Sequence, residues 1–198
     1  MSKEDKIRKE NIVKEMIKEI GEDPNRPGLI GTPDRVVRAW KEMFRGYDKN
    51  KLPKVTTFEN GSDGIVYDQM INDDGPFYSH CEHHIIPFFG HYYFAYIPDK
   101  NGKILGLSKV ARVVDYFSAK LQIQERLGHE IVNYLWKELS EEDSEPVAMG
   151  LVLEGEHLCK TMRGAKKKGK MRTTIIKGTF RNDVAARHEF LSWVNNKC

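Results

Sequence analysis

The sequence predicts an α+β fold, and three observations carry that prediction. Short segments rich in β-branched and aromatic residues, broken by Gly, Asn and Asp, fill residues 55–98. Two helical patterns then follow one another directly. After them the strand pattern returns, in residues 145–164 and 173–180. Strands, a pair of helices, then strands is not the regular alternation of a parallel α/β sheet.

Each element has its own signal. Residues 4–20 carry Ile12, Val13, Met16, Ile17 and Ile20 at helical spacing, and Gly21 ends the run. The stretch EDPNRPGLIG is a turn-rich connector. Thr32-Pro33 reads as an N-cap followed by Pro at the first helical position, opening a second helix over 32–47. These two helices precede the strand-rich part, so residues 1–50 are expected to form an N-terminal helical extension and 51–198 the main domain. VTTFENG, GIVYDQMIND, GPFYSHC and FFGHYYFAYIP read as strands, with PDKNGK as a hairpin turn. SKVARVVDYFSAK is helical. A further helix begins near Gln124, with Leu127, Ile131, Leu135 and Leu139 on one face. EPVAMGLVLEGEHLCKTMRG and TTIIKGTF read as strands, and RHEFLSWVNN as a closing helix.

Composition narrows the class of function. The hydrophobic fraction of 39% supports a real core, and a net charge of +3 excludes a polyelectrolyte binder. Nothing in the apolar pattern is long enough to span a membrane. The charged start MSKEDKIRKENIVKE has no apolar run of a signal peptide. The three cysteines, Cys81, Cys159 and Cys198, are too few and too odd for a disulfide framework. The expectation is a cytoplasmic protein with reduced thiols.

The chemistry concentrates in two places. SHCEHH holds Cys81, His83 and His84 within four positions, and GEHLCKTMRG holds His157 and Cys159. Alone, Cys81 or His157 reads as an ordinary buried residue. Together, two segments that each carry Cys and His read as one site. Thiolate and imidazole are the donors zinc prefers, and a Cys81-His84-Cys159 triad leaves one position for water, as in catalytic rather than structural sites. If the second segment is a strand, His157 and Cys159 share a face. His83 and His157 are left over, as a proton-transfer pair would be. Glu82 either points away or orients a ligand. His80 and His91 have no second partner in the pattern and read as structural. Ser108, Lys109 and Arg112 open a helix, where N–H groups and cations suit phosphate. Arg163 follows Cys159 by four residues, and Arg35 opens the second helix. Gln124-Glu125 begins a helix. Glu125 there is either a carboxylate at a favourable helix end or an acceptor for a purine edge, and spacing alone leaves both open.

The strings CEHH, AYIP, GLSKVAR, QERL, HLCKTMRG and ARHEFL, with GTPDR ahead of them, resemble the GTP cyclohydrolase I family in order and across nearly the whole chain. That resemblance implies the tunnelling fold, an antiparallel sheet with two helices on one face. It implies a toroidal homodecamer with active sites at subunit junctions. It implies conversion of GTP and water to formate and 7,8-dihydroneopterin triphosphate. Carried over residue by residue, Cys81, His84 and Cys159 match zinc ligands and Glu125 the guanine anchor, with Gln124 beside it. Lys109, Arg112, Arg163 and Arg35 match triphosphate contacts, Ser108 a residue near the ribose, and His157 and His83 the catalytic histidines. His157 would protonate N7 and His83 would assist near the ribose. Thr161 stands where some members carry Lys and receives no role. A second reading is a non-catalytic zinc-binding oligomer that uses AKKKGKMR on nucleic acid. That loop lacks interleaved aromatics, so a solvated loop is the better reading, and the expected partners are GTP and further copies of the chain, with neither nucleic acid nor membrane.

Overall fold

The computed structural model describes residues 2–197, and Cys198, expected to take no part in the site, lies outside them. Helix α1 (Lys3–Glu19) is capped by Ser2, whose Oγ accepts from Asp5 N–H at 3.1 Å. Helix α2 (Thr32–Met43) starts with Pro33 in its first turn, where the missing N–H costs nothing. The two pack on each other through Val13, Ile17 and Val37, a small cluster of their own joined by Trp40. A 3₁₀ turn, Arg45–Tyr47, ends the stretch expected to be helical, and Gly46 N–H donates to Ala119 O at 2.9 Å.

The strand-rich part contains β1 (Thr57–Glu59), β2 (Ile71–Cys81), β3 (Pro87–Ile97) and β4 (Lys103–Leu105). Helix α3 (Lys109–Ser118), strand β5 (Leu121–Gln122) and helix α4 (Gln124–Leu139) follow. Then come β6 (Ala148–His157), the helical turn α5 (Leu158–Thr161), β7 (Lys170–Gly178), α6 (Thr179–Asn182) and α7 (Val184–Asn195). The main sheet has the order β5-β2-β3-β6-β7, antiparallel except where β5 joins β2 in parallel.

Three expectations change. Residues 64–70 form a loop rather than a strand, and Ile71–Cys81 is one strand instead of two pieces. Pro76 is tolerated because β5 reaches β2 only at His80 and Cys81, leaving that edge open elsewhere. The turn at PDKNGK does not close a paired hairpin: β4 pairs with β1, because β3 already has β2 and β6 on its two edges. The segment HLCKTMRG is not strand: β6 stops at His157 and α5 follows.

Side-chain alternation divides the sheet into two faces. Tyr92, Phe94, Tyr96, Met149, Leu151 and Leu153 pack beneath α3 and α4 against Val113, Phe117, Leu127, Ile131 and Leu135. Tyr93, Ala95 and Val152 face the other way, against Phe180, Phe190 and Val194. The α4 stripe Leu127, Ile131, Leu135 and Leu139 is at most 1% exposed; each such side chain contributes about 1.5–3 kcal/mol by leaving water. His91 accordingly serves structure. Its Nε2 lies 3.0 Å from Asp74 Oδ2, and Lys197 reaches the same carboxylate at 3.2 Å. His80 packs against the Phe44 ring at 5.0 Å.

Gly90 and Gly155 face each other across β3 and β6. A Cβ on Gly90 would stand 1.7 Å from Glu154 O, so β3 could not keep its place beside β6. Gly90→Ala is expected to cost about 3 kcal/mol by overpacking, a fall in Tm of roughly 6–12 °C for a chain of this size. Thermal unfolding checks this, and an unchanged Tm contradicts it.

Candidate metal centre and pocket

The site is built where three chain segments end on the helix-covered face of the sheet. The first is the turn from β2 to β3. Cys81 N–H donates to Ile86 O at 2.9 Å and Ile85 N–H to Cys81 O at 2.8 Å, which folds residues 81–86 tightly. Ile85 has φ +57°, a left-handed conformation that a β-branched residue rarely adopts. Strain of this kind persists where surrounding structure enforces it, and it clusters at functional sites. The turn is braced from below. Glu82 N–H donates to Gln122 O at 3.0 Å, and the Glu82 carboxylate pairs with Arg126. Arg126 also donates to Gln122 Oε1 at 2.9 Å and Leu121 O at 3.1 Å. Glu82 therefore points away from the cysteines and ties their turn to α4.

The second segment is the end of β6. His157 is the last strand residue, and its ring lies flat on Phe88, its register partner, at 4.4 Å and 5°. The chain then turns as α5, with Thr161 Oγ1 donating back to His157 O at 3.1 Å. The helical turn swings Cys159 towards Cys81. The shared strand face expected for His157 and Cys159 is thus absent, but both still reach the site. The third segment is the N-terminus of α4, which presents Gln124 and Glu125.

Cys81, His84 and Cys159 place their donor atoms within 4.8 Å of one another, a group that could hold a metal ion. Arg163 Nη1 lies 2.6 Å from His84 Nε2. The guanidinium thus sits beside the donor group and against its imidazole. Burial and then the neighbouring Cys81 push the Cys159 thiol up, which favours the protonated form until a cation is present. Burial pulls His157 below the usual histidine range, with Glu125 opposing. His83 Nδ1 lies 3.3 Å from Cys81 Sγ.

A concavity of about 470 Å³ opens beside this group. Cys81, His83, Glu125, His157 and Cys159 line it, so the structure brings these predicted site residues together. Gln124 also lines it, but the side chain is 1% exposed and its amide is taken up by protein partners. Glu125, by contrast, is exposed and lines the pocket. Ser108, Lys109, Arg112 and Arg35 do not line it. Arg112 borders a separate hollow with Arg45, Lys51 and Asp115, and Arg35 lies 3.2 Å from Thr32 Oγ1 on α2. Sequence reasoning missed Lys160, Gly169, Lys170 and Met171, which also line it. The lysine-rich loop ends at the pocket; its charge run hid the fact that Lys170 begins β7.

A family profile described as GTP cyclohydrolase I matches residues 9–195. The chain is 42% identical over 194 residues to GTP cyclohydrolase 1 of Caldanaerobacter subterraneus subsp. tengcongensis, covering 98% of both chains. It is 42% identical over 196 residues to the protein of the same name from Acetivibrio thermocellus, covering 98% of this chain and 99% of the other. With that of Corynebacterium glutamicum it shares 43% over 184 residues, 92% of this chain and 89% of the other.

The geometry separates metal donors from His157. Cys159→Ser is expected to lose bound metal, because a hydroxyl is a poor replacement for a thiolate at neutral pH, whereas His157→Ala is expected to keep it. Elemental analysis of the two purified variants decides. Metal lost from the His157 variant and kept by the Cys159 variant would reverse the division.

Proposed function

The chain belongs to the GTP cyclohydrolase I family and is a hydrolase that acts on GTP, and from that premise we propose how its own residues divide the reaction. The observation that carries the proposal is the convergence of Cys81, His84 and Cys159 beside a pocket that also holds Glu125, His83 and His157. The reaction opens the imidazole ring of guanine, releases C8 as formate and leaves 7,8-dihydroneopterin triphosphate.

Two thiols and one imidazole form the donor set of catalytic zinc, with room for a water, and Cys81, His84 and Cys159 would hold it. When bound, zinc lowers the pKa of a coordinated water to about 7. Glu125 would accept hydrogen bonds from N1–H and the exocyclic amine of guanine. That choice is supported by its exposure to the pocket at the start of α4. A site built to pair with such donors rejects bases that lack them strongly. His157, stacked on Phe88, would deliver the proton to N7, and His83 would move a proton near the ribose, the role of positioned imidazoles in general acid–base catalysis.

The triphosphate would be held by Lys109, Arg112, Arg163 and Arg35, with Ser108 near the ribose. Within one chain Lys109, Arg112 and Arg35 stand outside the pocket, which supports their donation by neighbouring copies. The exposed stripe Ile12, Met16 and Ile20 on α1 also suits burial against another subunit. The assembly that fits the family resemblance is a homodecamer. No helix among the described residues is long and apolar enough to cross a membrane, and we place the enzyme in the cytoplasm, at the first step of tetrahydrofolate and pterin formation.

Incubation with GTP is expected to release formate and, after oxidation, to give pterin fluorescence; absence of both from metal-loaded protein would overturn the reading. Glu125→Ala is expected to abolish turnover while leaving assembly and metal content intact. Unchanged turnover would remove Glu125 from the guanine edge. Lys109→Ala is expected to raise KM for GTP far more than for guanosine, through lost charge-assisted bonds to phosphate. An equal effect on both substrates would take Lys109 off the triphosphate.

A further inference from the structure

Gln124 is buried at the first position of α4, and its amide has partners on every side. Nε2 donates to Leu153 O at 3.0 Å, Met171 O at 2.9 Å and Thr173 Oγ1 at 3.0 Å. Two of these are carbonyl oxygens, which only accept. Turning the amide over would set its oxygen against them, so the nitrogen must face β6 and β7 and the oxygen must face away. The oxygen meets His157 Nε2 at 3.1 Å. An amide oxygen only accepts, so His157 carries its proton on Nε2, and Nδ1 is left for the proton that moves.

Gly155 provides independent support. A Cβ there would lie 2.4 Å from Gln124 Oε1. The strand residue two positions before His157 thus has no side chain where this bond passes. Phe88 holds the ring face and Gln124 its edge, so the imidazole can neither tip nor turn over without losing one of them.

We propose that Gln124 is a positioning residue that fixes the tautomer and orientation of His157 and makes no direct contact with the substrate. The proposal rests on the reading of His157 as the proton donor. It departs from the expectation that Gln124 binds guanine beside Glu125. The residue acts through His157, so its loss should slow the chemical step and leave nucleotide affinity nearly alone.

Neutron diffraction from crystals of the zinc-loaded wild-type protein tests the geometry directly. The expected result is a deuterium on His157 Nε2 pointing at Gln124 Oε1; a deuterium on Nδ1 with a bare Nε2 overturns the proposal. Gln124→Met, similar in volume but without hydrogen bonds, tests the consequence. Its kcat is expected to fall at least about tenfold, part of the roughly hundredfold or more that a positioned proton donor contributes. KM for GTP should stay within about threefold and zinc content should be unchanged. Gly155→Ala, which pushes on the same oxygen, should show the same split. Unchanged kcat, or a raised KM with kcat retained, would mean that Gln124 does not act through His157. If His157→Ala itself keeps full kcat, the reading of His157 fails instead, so the two failures are distinguishable.

Discussion

The site depends on the side-chain parity of β3 and β6. Phe88 and His157 are directly paired, and both lie on the face that also carries Tyr92, Phe94, Leu151 and Leu153 beneath α3 and α4. A slip of one residue between these strands would move His157 to the other face, among Tyr93 and Val152. The buried aromatic and aliphatic side chains that enforce the register thus also aim the imidazole. The close approach of the strands at Gly90 and Gly155 belongs to the same constraint, since the register sets glycine opposite glycine. Core packing and site geometry are in this sense one problem. The hydrophobic face makes any other pairing costly, and the pairing it selects brings the end of β6 beside the start of β3.

Around that frame the polar residues fall into supports and reagents. Arg126 links Glu82 to Gln122 and the carbonyl of Leu121, so the turn that carries Cys81 and His84 is tied to the start of α4. Gln124 links α4 to β6, β7 and His157. Glu125, between these two tethered residues, keeps its carboxylate exposed to the pocket. Consecutive residues on one helical turn thus differ in surroundings: Gln124 and Arg126 are tied to other segments, and Glu125 is exposed at the pocket. Lys160 and Lys170 bring positive charge to the pocket lining, and Lys170 shares the Glu154 carboxylate with Arg172.

Much of this was legible in the sequence, for physical reasons that vary by residue. Cys81 and His84 were readable because their spacing suits one tight turn, and Cys159 because internal cysteines are so scarce. The α4 stripe was readable because helical periodicity is local. The turn at Leu158–Thr161 was not: His-Leu-Cys continues a strand pattern, and the switch depends on bonds such as Thr161 to His157 O. The β1–β4 pairing escaped because it depends on which strands already occupy the edges of β3. The hydrogen bonds of Gln124 escaped for a similar reason. They run to carbonyls on β6 and β7, far along the chain, while its neighbour Glu125 is exposed. Lys109, Arg112 and Arg35 carry a readable signal for phosphate, yet one chain leaves them outside the pocket. The role proposed for them comes from the family resemblance and requires a second copy of the chain.

The central claim is that one end of this sheet assembles a single metal centre from a hairpin turn and a helical turn. X-ray diffraction at the zinc absorption edge from crystals of the zinc-loaded protein measures this most directly. The account predicts one anomalous peak per chain, with the sulfurs of Cys81 and Cys159 at about 2.3 Å and a nitrogen of His84 at about 2.0–2.1 Å. A peak elsewhere, or one at this turn that excludes Cys159, would contradict it.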